Sequence, residues 1–203
     1  MRSKQLSDKL DGLMPRKKQQ FTADHVAAFF GKLKDIRDIE LLILKAHAGF
    51  EQLLFTAVAS RLNVPTDELS PRLQFRMLVD LALVGSSQPR FVGLLEKFAG
   101  VRNAFAHEMD PDPSVTGRAL EEFVDLTHSW ADEECEKHLS LRQAREVGWI
   151  ITSWGTRDDL TVARRIRGAI GILFSHLTQT CREMVYLSRD KEPPPLPAAE
   201  DES

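Results

Sequence analysis

Between Phe91 and Phe105 the apolar side chains recur at steps of three and four: Phe91, Leu94, Phe98, Val101 and Phe105. That period is one face of an α-helix, so the stretch must fold as a helix packed against something apolar. Its C-terminal end carries Arg102, Asn103 and His107. At roughly 100° per residue, Arg102 falls at the edge of the apolar stripe. Asn103 and His107, four apart, share a face turned away from it. Arg102 and His107 sit roughly 140° apart if the helix stays regular. Asp110-Pro111-Asp112-Pro113 then forces a break, because a residue before proline is steered out of helical geometry. The cluster is therefore expected at a helix end, where a splayed backbone lets the side chains converge.

The same period runs through the rest of the chain. Thr22 opens a helix to about Lys34, with Val26, Phe29, Phe30 and Leu33 as its face. A long helix is expected from about Arg37 to Leu62, ending before Pro65. On it Glu40, His47 and Glu51 form a polar stripe, and His47 and Glu51 are spaced to hydrogen-bond along the helix or to sit there as a surface ion pair. Ser70-Pro71 predicts a helix start, a hydroxyl cap followed by proline, with Leu73, Phe75, Leu78, Leu81, Ala82 and Val84 on the helix and a stop at Gly85. Ser87 or Gln88, before Pro89, opens the helix that ends in the Arg102 cluster. Ser114 starts the next, carrying Leu120, Phe123, Val124, Leu126, Thr127, Trp130 and Ala131. Cys135 to Trp154 reads as more helix. Asp158 or Asp159 caps a last helix from about Leu160 to Ser188, its first half crowded by Arg164, Arg165 and Arg167. No strand alternation and no repeat stand out. The expected class is all-α, an antiparallel up-and-down bundle in which short connections make sequential helices neighbours.

The organisation expected is a flexible basic arm (1–20), a helical core (21–132), C-terminal helices packed on the core (133–189) and a disordered acidic, proline-rich tail (190–203). The net charge is −3, so no global basic field marks a nucleic-acid binder. Locally, Arg2, Lys4, Lys9, Arg16, Lys17 and Lys18 outweigh Asp8 and Asp11. Cys135 and Cys181 read as free thiols of a reducing compartment. The N-terminus lacks an apolar signal region, and Lys45, His47 and Glu51 interrupt the most apolar run, so a soluble, cytoplasmic protein without membrane contact is expected. With neither a metal-ligand spacing nor a glycine-rich phosphate loop, no metal and no cofactor are expected.

Residue chemistry gives the Arg102 cluster two readings. Arg and His favour the negative end of a helix dipole, and that alone would place them there. Arg also grips a phosphate bidentately, and His titrates near neutral pH, so the cluster could hold a scissile phosphate and move a proton. The string RNAFAH (Arg102–His107), preceded by LLEKFAGV, resembles the Arg-Asn-x-x-x-His signature of the HEPN superfamily. Upstream, LLILKAHAGFEQLLFTAVASRL resembles the helix that packs beside that signature, and the likeness covers about residues 38 to 130. The general look is similar to the branch holding mannitol-operon-repressor-like proteins, HEPN toxins and defence ribonucleases.

The resemblance implies a HEPN-type bundle with the motif helix inside it. It implies a metal-independent endoribonuclease that cleaves RNA through the RNA's own 2′-hydroxyl, in a toxin–antitoxin or phage-defence setting. It also implies a homodimer whose two motifs line one cleft, and an antitoxin or sensor protein as restraining partner. Arg102 would stabilise the phosphorane, His107 would transfer protons and Asn103 would position Arg102 or the phosphate. His47 or Glu51 would support Arg102 from behind. A non-catalytic regulator or scaffold, acting through protein contacts, is the alternative that the same resemblance allows.

Overall fold

The computed structural model describes residues 23–107, 113–134 and 162–187. They form six α-helices: α1 Ala23–Leu33, α2 Ile39–Leu62, α3 Phe75–Leu83, α4 Pro89–His107, α5 Pro113–Glu134 and α6 Val162–Leu187. A single 3-10 turn, Thr66–Glu68, follows α2. No strand occurs among the described residues, and the class is all-α. The expected arm (1–20), the Asp110–Asp112 break, the helix over Cys135–Trp154, the caps at Asp158 or Asp159 and the tail (190–203) lie outside the described residues.

Local chemistry sets the helix ends. The Asp38 carboxylate accepts the Leu41 N–H at 2.7 Å, satisfying one of the orphan amides that open α2. At the far end Asn63 takes a left-handed backbone (φ 57°) and returns its N–H to the Ala59 carbonyl. The expected helix start at Ser70-Pro71 is not there. The Ser70 hydroxyl accepts the amide of Arg72, two residues on, at 3.3 Å, and its carbonyl accepts from Leu73. This local turn competes with a helix cap, and α3 begins only at Phe75. Of the apolar residues expected on these helices, Leu81 and Leu126 are exposed, and Val84 lies past the end of α3 and is exposed too.

Neighbouring helices do not all alternate in direction. Phe91 stacks on Trp130 and Phe98 packs tilted against Phe123, while Arg90 pairs with Glu133 and Lys97 with Glu122. These pairs make α4 and α5 antiparallel. Arg76 on α3 meets Glu96 on α4, again antiparallel. But α2 and α3 run the same way: His47 packs on Phe75, and further along Arg61 donates to the Ala82 and Val84 carbonyls at 2.7 and 3.0 Å. The connection over residues 63–74 is long enough to carry the chain back to the starting end, so the simple up-and-down order fails at this step. Helix α6 also follows α2: Ile36 touches Arg167, Phe50 packs on Phe174, and the Arg61 charge reaches Cys181.

One apolar core joins all six helices. Phe29, Phe50, Phe98, Phe123 and Phe174 are buried in it, with Ile166, Ile170 and Leu177 from α6. Gly49 makes part of this possible. A Cβ there would overlap the Phe29 ring, which instead lies against the α2 backbone and stacks on Phe174 with centroids 3.7 Å apart. By length and apolarity α2 could cross a membrane, but half of its most apolar window is buried inside this core.

Candidate functional site

Helix α4 is anchored by Phe91, Leu94, Leu95, Phe98 and Val101, all buried. Arg102 follows at the rim of that face and is half-buried; Asn103, one step on, is exposed. The Arg102 guanidinium donates from Nη1 to the Asn103 Oδ1 at 3.0 Å. Among the described residues no carboxylate pairs with Arg102. A cation held at the edge of an apolar core without a counter-ion keeps its electrostatic reach for an incoming anion.

The helix remains regular through His107, its last residue. The splayed end expected from the following prolines does not occur within it. The backbone position of His107 is therefore roughly 140° around the axis from Arg102 and about 7.5 Å further along it.

Behind Arg102 lies His47. It comes from α2, is only 4% exposed and packs against the rings of Phe75 and Phe98. Burial first, and then the Arg102 charge, push its pKa from 6.5 down to about 4. At neutral pH the imidazole is uncharged, so the expected ion pair with Glu51 does not form there. The Nδ1–Oε1 separation of 3.7 Å is also too long for a hydrogen bond. Glu51 is half-exposed and forms no hydrogen bond or ion pair with Arg102. The structure thus brings His47 into the field of Arg102, while Glu51 lies beside His47.

Two features escaped the sequence. Phe75, far from the motif in sequence, covers His47; the polar stripe of α2 carries no sign of it. His176, within the apolar run of α6, is buried between Phe91 and Trp130, with Nε2 2.7 Å from Gln88 Oε1. Its one signal was a lone imidazole on an apolar face. Burial pushes the Cys181 thiol up to about 12, so it is no nucleophile. Among the described residues no group of three or more His, Cys, Asp or Glu side chains comes together. No protein-family model, no curated protein and no solved structure matches the chain.

Proposed function

We propose that this chain is a metal-independent endoribonuclease of HEPN type, working as a homodimer with Arg102, Asn103 and His107 as its reactive residues. One observation supports it most: Arg102 is held at the core rim by Asn103, with no carboxylate pairing it among the described residues, over an uncharged His47. In the reaction the RNA 2′-oxygen forms a bond to phosphorus as the bond from phosphorus to the 5′-oxygen breaks. The 2′-hydroxyl proton leaves to a base and the 5′-oxygen receives a proton from an acid, giving a cyclic phosphate. Arg102 stabilises the extra charge of the phosphorane. His107 serves as base or acid. One imidazole does not conveniently do both, and on a regular helix positions 102 and 107 lie roughly 140° apart. A second copy, with its motif across the same cleft, supplies what is missing. Asn103 fixes the guanidinium. A neutral His47 avoids setting a like charge beside it. Such an enzyme needs restraint in its own cell, by an antitoxin or sensor protein, in a toxin–antitoxin or antiviral setting.

A regulator or scaffold is the second reading. It draws on the exposed side chains Met77 and Leu81 on α3 and Val84 just past its end, with Leu62 exposed at the end of α2. Such a patch suits protein contacts.

The test is cleavage of a labelled RNA in chelator by the wild type, Arg102→Ala and His107→Ala. Each variant is expected to lose on the order of 10²-fold or more in rate. Equal activity in all three would point to a contaminating nuclease and defeat the catalytic assignment.

A further inference from the structure

We propose a second RNA contact, a track for phosphodiester groups around the turn between α1 and α2, built by Lys34, Arg37, Arg164 and Arg167. It rests on the ribonuclease reading for its substrate, but on separate residues. The anchor is Arg167 of α6. Its Nη2 donates to the Ile36 carbonyl, which fixes the start of α6 against that turn. Its Nε is buried and has no hydrogen-bond partner among the described residues. No carboxylate pairs with it there, and a guanidinium does not lose its proton to escape the cost. Helices α1 and α6 pass in opposite directions, Phe30 near Phe174 and Ile36 at Arg167. Arg164 stands one turn earlier on α6, towards the end of the molecule where Arg37 opens α2. Lys34 and Arg37 are exposed and Arg164 is half-buried.

Among the described residues three carboxylates lie at this turn and the first turn of α2: Asp38 is engaged in capping α2, and Asp35 and Glu40 are exposed. Against Lys34, Arg37, Arg164 and Arg167 the balance of the described residues stays positive, on a chain that is net negative overall. Arg165 takes no part, because Asp125 pairs with it.

The track lies at the same end of the molecule as the motif. His47 meets Phe98 and feels Arg102, so the N-terminal end of α2 points the way the C-terminal end of α4 does. A single RNA strand fits this arrangement: its phosphates repeat along a line, and each one neutralised by Arg or Lys releases counter-ions.

The test measures binding without cleavage. In a His107→Ala background, anisotropy of an end-labelled single-stranded RNA is followed against salt for the parent, Arg37→Gln/Arg164→Gln, Lys34→Gln and Arg90→Gln. Arg90 lies at the opposite end of α4 and serves as control. The double variant should bind on the order of tenfold more weakly, with a log–log salt slope shallower by about 1.4. Lys34→Gln should lose less and in the same direction, and it replaces the double variant if thermal melting shows the latter misfolded. Unchanged binding in the folded variants, an equal loss in Arg90→Gln, no RNA binding by the parent, or binding to anionic vesicles in place of RNA would overturn the proposal. If these variants lose RNA binding but the wild type cleaves nothing, the ribonuclease reading fails and the track stands. If the wild type cleaves and the variants bind normally, only the track fails.

Discussion

His47 couples the site to pH through stability. Its pKa is about 4 in the fold against 6.5 in an unfolded chain, so the unfolded chain takes up the proton more readily. The contribution is fully present above pH 6.5, is lost as pH falls from there towards 4, and does not change further below that. Between pH 7 and pH 5 the loss is about 2 kcal/mol. In His47→Phe, which keeps a ring between Phe75 and Phe98, that part of the acid slope should vanish; denaturant unfolding at the two pH values measures it. An unaltered slope would mean that His47 is protonated in the fold or is not buried there. Gly49 supplies a second check. In an open helix Gly→Ala stabilises by about 1 kcal/mol. Here the added methyl strikes the Phe29 ring, and Gly49→Ala should instead destabilise by roughly 1–3 kcal/mol. Phe29→Leu in the same chain should recover part of that loss in a double-mutant cycle. Sequence spacing set Arg102 at the edge of the apolar stripe, where it is half-buried, because that position depends on α4 alone. The depth of His47 was out of reach, because it is set by Phe75, a residue of another helix.

At the level of helices, the apolar period located α1, α2, α4, α5 and α6 to within a few residues, since each has a face that must be buried. The start of α3 was not legible. Ser70-Pro71 has the composition of a cap, yet the hydroxyl can satisfy a nearer amide, and only the packing of Phe75, Leu78 and Val79 decides which turn becomes helix. Direction was less legible still. A short connection forces antiparallel neighbours, whereas residues 63–74 leave α3 free to run beside α2 in the same sense. The Asp38 cap belongs to this scale. It holds the start of α2 beside Arg37 and the anchor of Arg167 on Ile36. Asp38→Ala should cost about 1 kcal/mol by denaturant unfolding. Asp38→Asn should cost much less, because the carboxamide oxygen still accepts the Leu41 amide. Similar losses in the two would show that the charge of Asp38, and not its hydrogen bond, is what matters.

For the whole molecule the question is whether one copy suffices. Gly100 lies on the outer face of α4, where a Cβ would meet nothing within 4 Å. It is two turns before His107 and about 20° from it around the helix. A large side chain there should leave the isolated fold intact, and the loss of a helical glycine should even firm α4 slightly. If two motifs face each other across a cleft, however, that side chain stands in the way of the second copy. Gly100→Trp is expected to keep or raise the melting temperature, sediment as a monomer and lose cleavage along with dimerisation. Retained cleavage by a monomeric Gly100→Trp would show that one α4 carries the whole reaction. Mixing adds an independent reading, since Arg102→Ala and His107→Ala each lack a different group. In a shared cleft, a mixed dimer holds one intact Arg102 and one intact His107, and activity should partly return when the two inactive proteins exchange subunits. Should mixed dimers form and remain inactive, the reaction needs both copies of each residue or does not use a shared cleft. The monomeric glycine variant separates these two outcomes.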